Sequence, residues 1–190
     1  HDARTGDLIA IQICRAIHVL TQAIGHLATK YAEIEVVCAT GNHDRDTSRH
    51  KGRAVHGKYD SHSTVIYYAL KAAFRDVKHI TFKIPKAALS HYEVYGKKIG
   101  FTHGDTVIKA GGIYSTVKIR DLANQINQIN ASLPDLEEYA AILYGHTHIG
   151  HIVHLSNGCV LVGNGALPPP DPFAVSIGSM EFIDLFTIFC

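Results

Sequence analysis

The stretch Ala140–His151, reading Ala-Ala-Ile-Leu-Tyr-Gly-His-Thr-His-Ile-Gly-His, constrains this chain more than any other, because an apolar run stops at a glycine and two imidazoles two residues apart follow at once. Ala141 to Tyr144 are short, apolar and partly aromatic, the make-up of a buried strand. Gly145 is expected to turn the backbone out of that strand in a conformation closed to other residues. His146 and His148 then stand on a loop at a strand end, and neutral imidazoles brought together by a bent loop suit a borderline divalent metal. With 14 histidines in 190 residues, an H-x-H also arises by accident, so the motif alone leaves both readings open.

The same arrangement recurs twice upstream. Ile34 to Ala39 is β-branched and apolar and runs into Thr40-Gly41-Asn42-His43-Asp44, and the strand Lys98 to Thr102 delivers His103-Gly104-Asp105. Around these, apolar spacing predicts a helix over Leu8 to Tyr31, started by Thr5 or Asp7, and a second over Thr64 to Arg75, capped by Ser61 or Ser63. A third runs from Ser115 to Asn130 with Val117, Ile119, Leu122, Ile126 and Ile129 inward. His79 to Ile84 reads as a strand stopped by Pro85, and Tyr92 to Tyr95 pairs with the Lys98 strand across Gly96. Ile152 to Leu155 and Cys159 to Val162 flank the hairpin turn Ser156-Asn157-Gly158. Pro168 to Pro170 and Pro172 forbid regular structure before a last strand near Glu181 to Phe189. Strands and helices alternate early and strands dominate late, which predicts an α/β architecture with a largely buried sheet whose strand ends share one rim.

A chain of 190 residues with 46% hydrophobic content can bury one sizeable core, so a single domain is expected. The formal charge of +1 excludes wholesale attraction to nucleic acid or membrane and leaves room for a local basic patch. Cys14, Cys38, Cys159 and Cys190 are far apart and read as reduced and mostly buried. No apolar run reaches the ~18–20 residues of a membrane span, and no signal segment opens the chain, so the expectation is a cytoplasmic protein without membrane contact. The chain begins at His1 and its only methionine is Met180, which predicts a processed chain or a fragment.

Gly41-Asn42-His43-Asp44, His103-Gly104 and Gly145-His146-Thr147-His148 occur in this order, each directly after an expected strand. This set resembles the calcineurin-like metallophosphoesterases, of phage or bacterial type. Their signature has the blocks D-x-H, G-D-x-x-D, G-N-H-D/E, H and G-H-x-H, of which this sequence matches the last three over about Leu8 to Gly165. The resemblance implies a four-layer α/β/β/α sandwich with mixed sheets, here one N-terminally truncated domain over residues 1–190. It also implies two divalent metal ions, Mn2+ foremost and Zn2+, Fe2+, Ni2+ or Mg2+ as alternatives. By position, Asn42, His103 and His146 would hold one metal and His148 would help hold the other. His43 would act on the phosphate or protonate the leaving oxygen, Asp44 would orient His43, and Arg45 would bind substrate.

The implied activity is hydrolysis of phosphate esters, with a phosphodiesterase or nuclease foremost. Phosphoprotein or nucleotide phosphatase action, or a non-catalytic remnant binding at most one metal, are the alternatives. Nucleic acid is a candidate partner because Arg45, Arg49, Lys51, Arg53 and Lys58 cluster, although Asp46 and Asp60 are interleaved and no aromatic accompanies them before Tyr59. The first two blocks are expected upstream of His1. Thr5-Gly6-Asp7-Leu8-Ile9 resembles half of the second block, and Asp7 reads rather as a helix cap. His18 and His26 read as surface or satisfied side chains, and His151 and His154 as structural residues of which one can reach the rim. Asp105 reads equally as a partner of His103 or a turn residue.

Overall fold

A computed structural model describes residues 8–41, 59–87, 89–105, 116–132, 137–146 and 150–165. The chain forms two compact units, His1–Lys86 and Ala87–Cys190.

In the first unit, helix α1 (Ile9–Ala28) packs on helix α2 (His62–Ala73), and strands β1 (Ile34–Val37) and β2 (Ile80–Lys83) pair in parallel with Ile34 beside Ile80 and Val37 beside Lys83. A parallel pair needs a crossover, and α2 supplies it. The buried residues Ile24, Leu70 and Ile80 form the core, with Ile17, Ile66, Phe74 and Phe82 packed around them. The Phe74 and Phe82 rings stack at 6.2 Å between centroids. Of the apolar stripe expected of the first helix (Ile9, Ile13, Ile17, Leu20, Ile24, Leu27 and Tyr31), Ile24 is buried and Ile9, Ile13, Ile17 and Leu27 are half-buried, whereas Leu20 and Tyr31 are exposed. The N-cap position falls to Leu8, which has no side-chain acceptor, and not to Thr5 or Asp7, which lie outside the described residues. Ser61 does cap α2: its Oγ accepts from the Thr64 N–H at 3.3 Å. Tyr67 of α2 donates its hydroxyl to the Ala39 carbonyl at 2.8 Å, tying down the segment that leaves β1.

The second unit is built on a five-stranded mixed sheet in the order β3-β4-β5-β7-β6, with β3 Ser90–Val94, β4 Lys97–Thr102, β5 Tyr139–Tyr144, β6 His151–His154 and β7 Val160–Gly163. β4, β5 and β7 are parallel neighbours, and the outer strands β3 and β6 run antiparallel to them. Helix α3 (Thr116–Ala131) buries Leu122 and Ile126 against Tyr139, Ile142, Tyr144, Cys159 and Leu161 of the sheet. Tyr95 (φ 49°) and Gly96 (φ 70°) form the two-residue β3–β4 turn, both in the left-handed region that a type I′ hairpin requires. The β6–β7 turn lies at Ser156-Asn157-Gly158, where Gly158 has φ 85° and Asn157 Oδ1 accepts from the Cys159 N–H at 3.0 Å. The fold is thus α/β with a mixed sheet, and the strands expected over 141–144, 152–155 and 159–162 are present within two residues of those bounds.

Cys38 and Cys159 are buried as expected, but Cys14 is exposed on the outer side of α1. Cys190 and the strand expected over 181–189 lie outside the described residues. No described helix is long and apolar enough to cross a membrane.

Candidate metal centre at the strand ends

Because β4, β5 and β7 are parallel, their C-terminal ends meet one rim of the sheet. Thr102, Tyr144 and Gly163 lie side by side in a single row, and antiparallel β6 extends the row with its first residue, His151. The residues immediately beyond are His103 on β4, Gly145 and His146 on β5, and Asn164 on β7, whose N–H donates to the Tyr144 carbonyl at 2.7 Å. The shared rim inferred from the alternation of elements is therefore present in the second unit.

His103 and His146 come together there, with ring centroids 5.2 Å apart and planes at 66°. Thr102 is buried, and its Oγ1 accepts from the Gly104 N–H at 3.2 Å, so the chain is pinned on both sides of His103. Gly104 has φ 106°, open in practice only to glycine. With metal–nitrogen bonds of about 2.0–2.1 Å, two imidazoles on one cation at roughly 90–110° carry centroids about 4.5–5.3 Å apart. The observed separation falls at the upper end of that range. Among the described residues no group of three or more His, Cys, Asp or Glu is placed to hold a metal.

The turn after β5 departs from the sequence expectation. Gly145 does not take the left-handed conformation; His146 does, at φ 70°. A Cβ at Gly145 would stand 3.8 Å from the His103 carbonyl oxygen and 4.0 Å from its Nδ1, an ordinary contact, so no steric demand reserves that position for glycine. The left-handed backbone costs a non-glycine residue of order 1 kcal/mol or more, and it persists only where the surroundings hold it.

Tyr144, two residues before His146, is firmly anchored. Its ring is buried at 3% exposure, and its hydroxyl is hydrogen-bonded to His151 Nε2, with the rings edge-on at 5.3 Å. Burial pushes the Tyr144 hydroxyl up to about 12, so it keeps its proton throughout the physiological range. The His151 ring lies over Gly163, where a Cβ would come within 2.6 Å of Nδ1 and 2.7 Å of Nε2. Gly163 is therefore required for this placement, and His151 is the histidine of its strand that reaches the rim. His154 is exposed at the far end. In the sequence Tyr144 closes an apolar run and reads as core, and Gly163 reads only as the start of Gly163-Asn164-Gly165, which resembles the segment that follows the last metal block of the metallophosphoesterases. The pairing depends on a register across β7 that no local pattern reveals.

Asn42, His43, Asp44, Arg45 and His148 lie outside the described residues. Tyr59, the aromatic nearest the basic cluster, is buried at 8% exposure and offers no stacking platform.

No family model matches the sequence, and no curated protein matches it. Among solved structures, the chain is similar to a conserved uncharacterised protein from Streptococcus pneumoniae described as a predicted phosphoesterase, at TM-score 0.40 and 14% identity over 82% of this chain and 68% of that one. It is also similar to a double mutant of Vps29 from Entamoeba histolytica, at TM-score 0.37 and 16% identity over 75% of this chain and 62% of that one.

Proposed function

We propose that this chain is a divalent-metal-dependent phosphoesterase, a phosphodiesterase foremost, working through a two-metal site at the strand-end rim. The observation that carries the reading is the meeting of His103 and His146 on neighbouring parallel strands at a separation suited to one cation. The motif order, with Gly41-Asn42 and Gly145-His146-Thr147-His148 each following an expected strand, adds to it. In this reading Asn42, His103 and His146 hold one cation and His148 contributes to the second. A divalent cation supplies Lewis-acid polarisation of a phosphoryl oxygen and offsets the charge that develops there.

The residues of the chain do the rest. His43 donates a proton to the leaving oxygen, Asp44 accepts from the other ring nitrogen of His43 and fixes its tautomer, and Arg45 pairs with a phosphate oxygen. The Gly104 N–H to Thr102 Oγ1 bond spans His103 and fixes the backbone that carries its imidazole, which limits reorganisation as substrate arrives. A nuclease is the leading choice within the class because Arg45, Arg49, Lys51, Arg53 and Lys58 supply phosphate-binding charge beside the site motif.

The test is an assay of the natural full-length protein with Mn2+ on bis-p-nitrophenyl phosphate, single-stranded DNA and a phosphopeptide. Turnover of the first two supports the phosphodiesterase reading, and turnover of the phosphopeptide alone moves the assignment to a phosphatase. No turnover by metal-loaded protein overturns the enzyme.

A further inference from the structure

We propose that His151 is a positioning residue of the rim, which with Tyr144 and Gly163 forms a clamp holding the strained His146 in line with His103. The inference rests on the metal-site reading above and adds to it residues that carry none of the motif.

Tyr144 is the last residue of β5, two positions before His146, and it is fixed in three directions. Its ring is packed in the core, its carbonyl accepts from Asn164, and its hydroxyl is joined to His151. His151 in turn is placed by the bare backbone of Gly163, which leaves no room for any side chain beneath the ring. The left-handed φ of His146 would relax if the end of β5 could rotate, because Gly145 has no side chain to restrict the backbone between Tyr144 and His146. A clamp one strand further away, on β6, stops it. The roles are then distinct: His103 and His146 face the ligand, and His151 acts on them through Tyr144. Partners of this kind, behind the ligating groups, change metal affinity by about 10–100-fold when removed.

The experiment compares wild type with Tyr144→Phe, His151→Ala and His151→Gln, reading Co2+ affinity and the Co2+ absorption band, thermal unfolding, and the metal-free imidazole 1H–15N resonances of His103 and His146. Tyr144→Phe removes one oxygen and leaves the buried ring, so it keeps the core. It is expected to weaken Co2+ binding about 10-fold and to shift the His146 resonances while those of His18 and His26 stay in place. His151→Ala should do the same, and His151→Gln, which restores a partner for the hydroxyl, should recover most of the affinity. Variants that melt earlier yet bind Co2+ as wild type does, with His146 unmoved, would show a merely structural pair and overturn the proposal. Absence of Co2+ uptake by wild type would instead sink the metal-site reading, and the His146 resonances would still decide the clamp.

Discussion

Asn130, on the last turn of α3, pairs both ends of its side-chain amide with the backbone of Tyr139: Nδ2 donates to the Tyr139 carbonyl at 3.0 Å, and Oδ1 accepts from the Tyr139 N–H at 2.9 Å. The side chain is buried at 1% exposure and imitates the edge of a neighbouring strand. Such a substitute is needed because the β4–β5 register shifts at this point: Tyr139 stands beside Lys98, but Ala141 beside Ile99. The intervening Ala140 is a bulge that disrupts the ladder locally. Asn130→Ala would strand a buried donor and a buried acceptor together, so a loss of about 2–4 kcal/mol is expected in urea unfolding. Asn130→Asp should also destabilise, since it keeps the acceptor and loses the donor.

Glycines of this sheet should respond oppositely to alanine. At Gly100 a Cβ would overlap Ile142 Cδ1 and lie 3.1 Å from two atoms of the Tyr139 ring, both residues of the buried core. Overpacking of this kind costs about 1–3 kcal/mol. At Gly145 the same methyl meets only ordinary contacts. Thermal melts of the two variants check this, and a Gly145→Ala variant less stable than Gly100→Ala would contradict the turn geometry described for His146.

Thiol reactivity and alkaline stability should follow burial. Desolvation pushes Cys38 and Cys159 up to about 11 from an ordinary 9.0. Alkylation at pH 8, read by peptide mass spectrometry, should therefore label exposed Cys14 well before either. The folded chain also holds thiol protons that the unfolded chain releases above pH 9. The contribution of these groups is thus complete below pH 9 and disappears as the pH rises through about 11. Urea midpoints at pH 8 and 10.5 should differ in that direction, and by less in a Cys38→Ala, Cys159→Ala double variant.

The proposed function gives proton transfer to His43 and metal binding to His146, and alanine variants should separate the two roles. His43→Ala is expected to lower turnover about 10²–10⁴-fold with metal content intact. His146→Ala is expected to lose metal. Plasma mass spectrometry on both decides, and equal metal loss would remove the distinction.

What could be read from sequence was what is local. β-branched and apolar runs such as Ile34–Val37 and Val160–Gly163 announce themselves, as do Ser61 at a helix start and Asn157-Gly158 in a hairpin. That His103 and His146 end neighbouring strands was legible as far as each follows an apolar run. Their adjacency needed the order β4-β5, and that is fixed by long-range pairing. The bulge at Ala140 was invisible for the same reason, since it exists only relative to Lys98 and Ile99. Gly145 misled because glycine usually marks the left-handed residue, and here the positive φ sits one position later, at His146.

The strand order also says when the rim comes into being. β3–β4 and β6–β7 are hairpins closed by tight turns, and such units form from nearby contacts within about 1–10 μs. β5 reaches its partner β4 only through the crossover that carries α3 and its partner β7 only across β6, so it enters between the two parallel on both sides, which demands slower long-range closure. His103 belongs to one hairpin, His151 to the other and His146 to the strand that joins them. The three histidines that share the rim thus come from separate pieces of the sheet, and they stand together only when β5 docks. A protein caught before that step would carry both hairpins and no site.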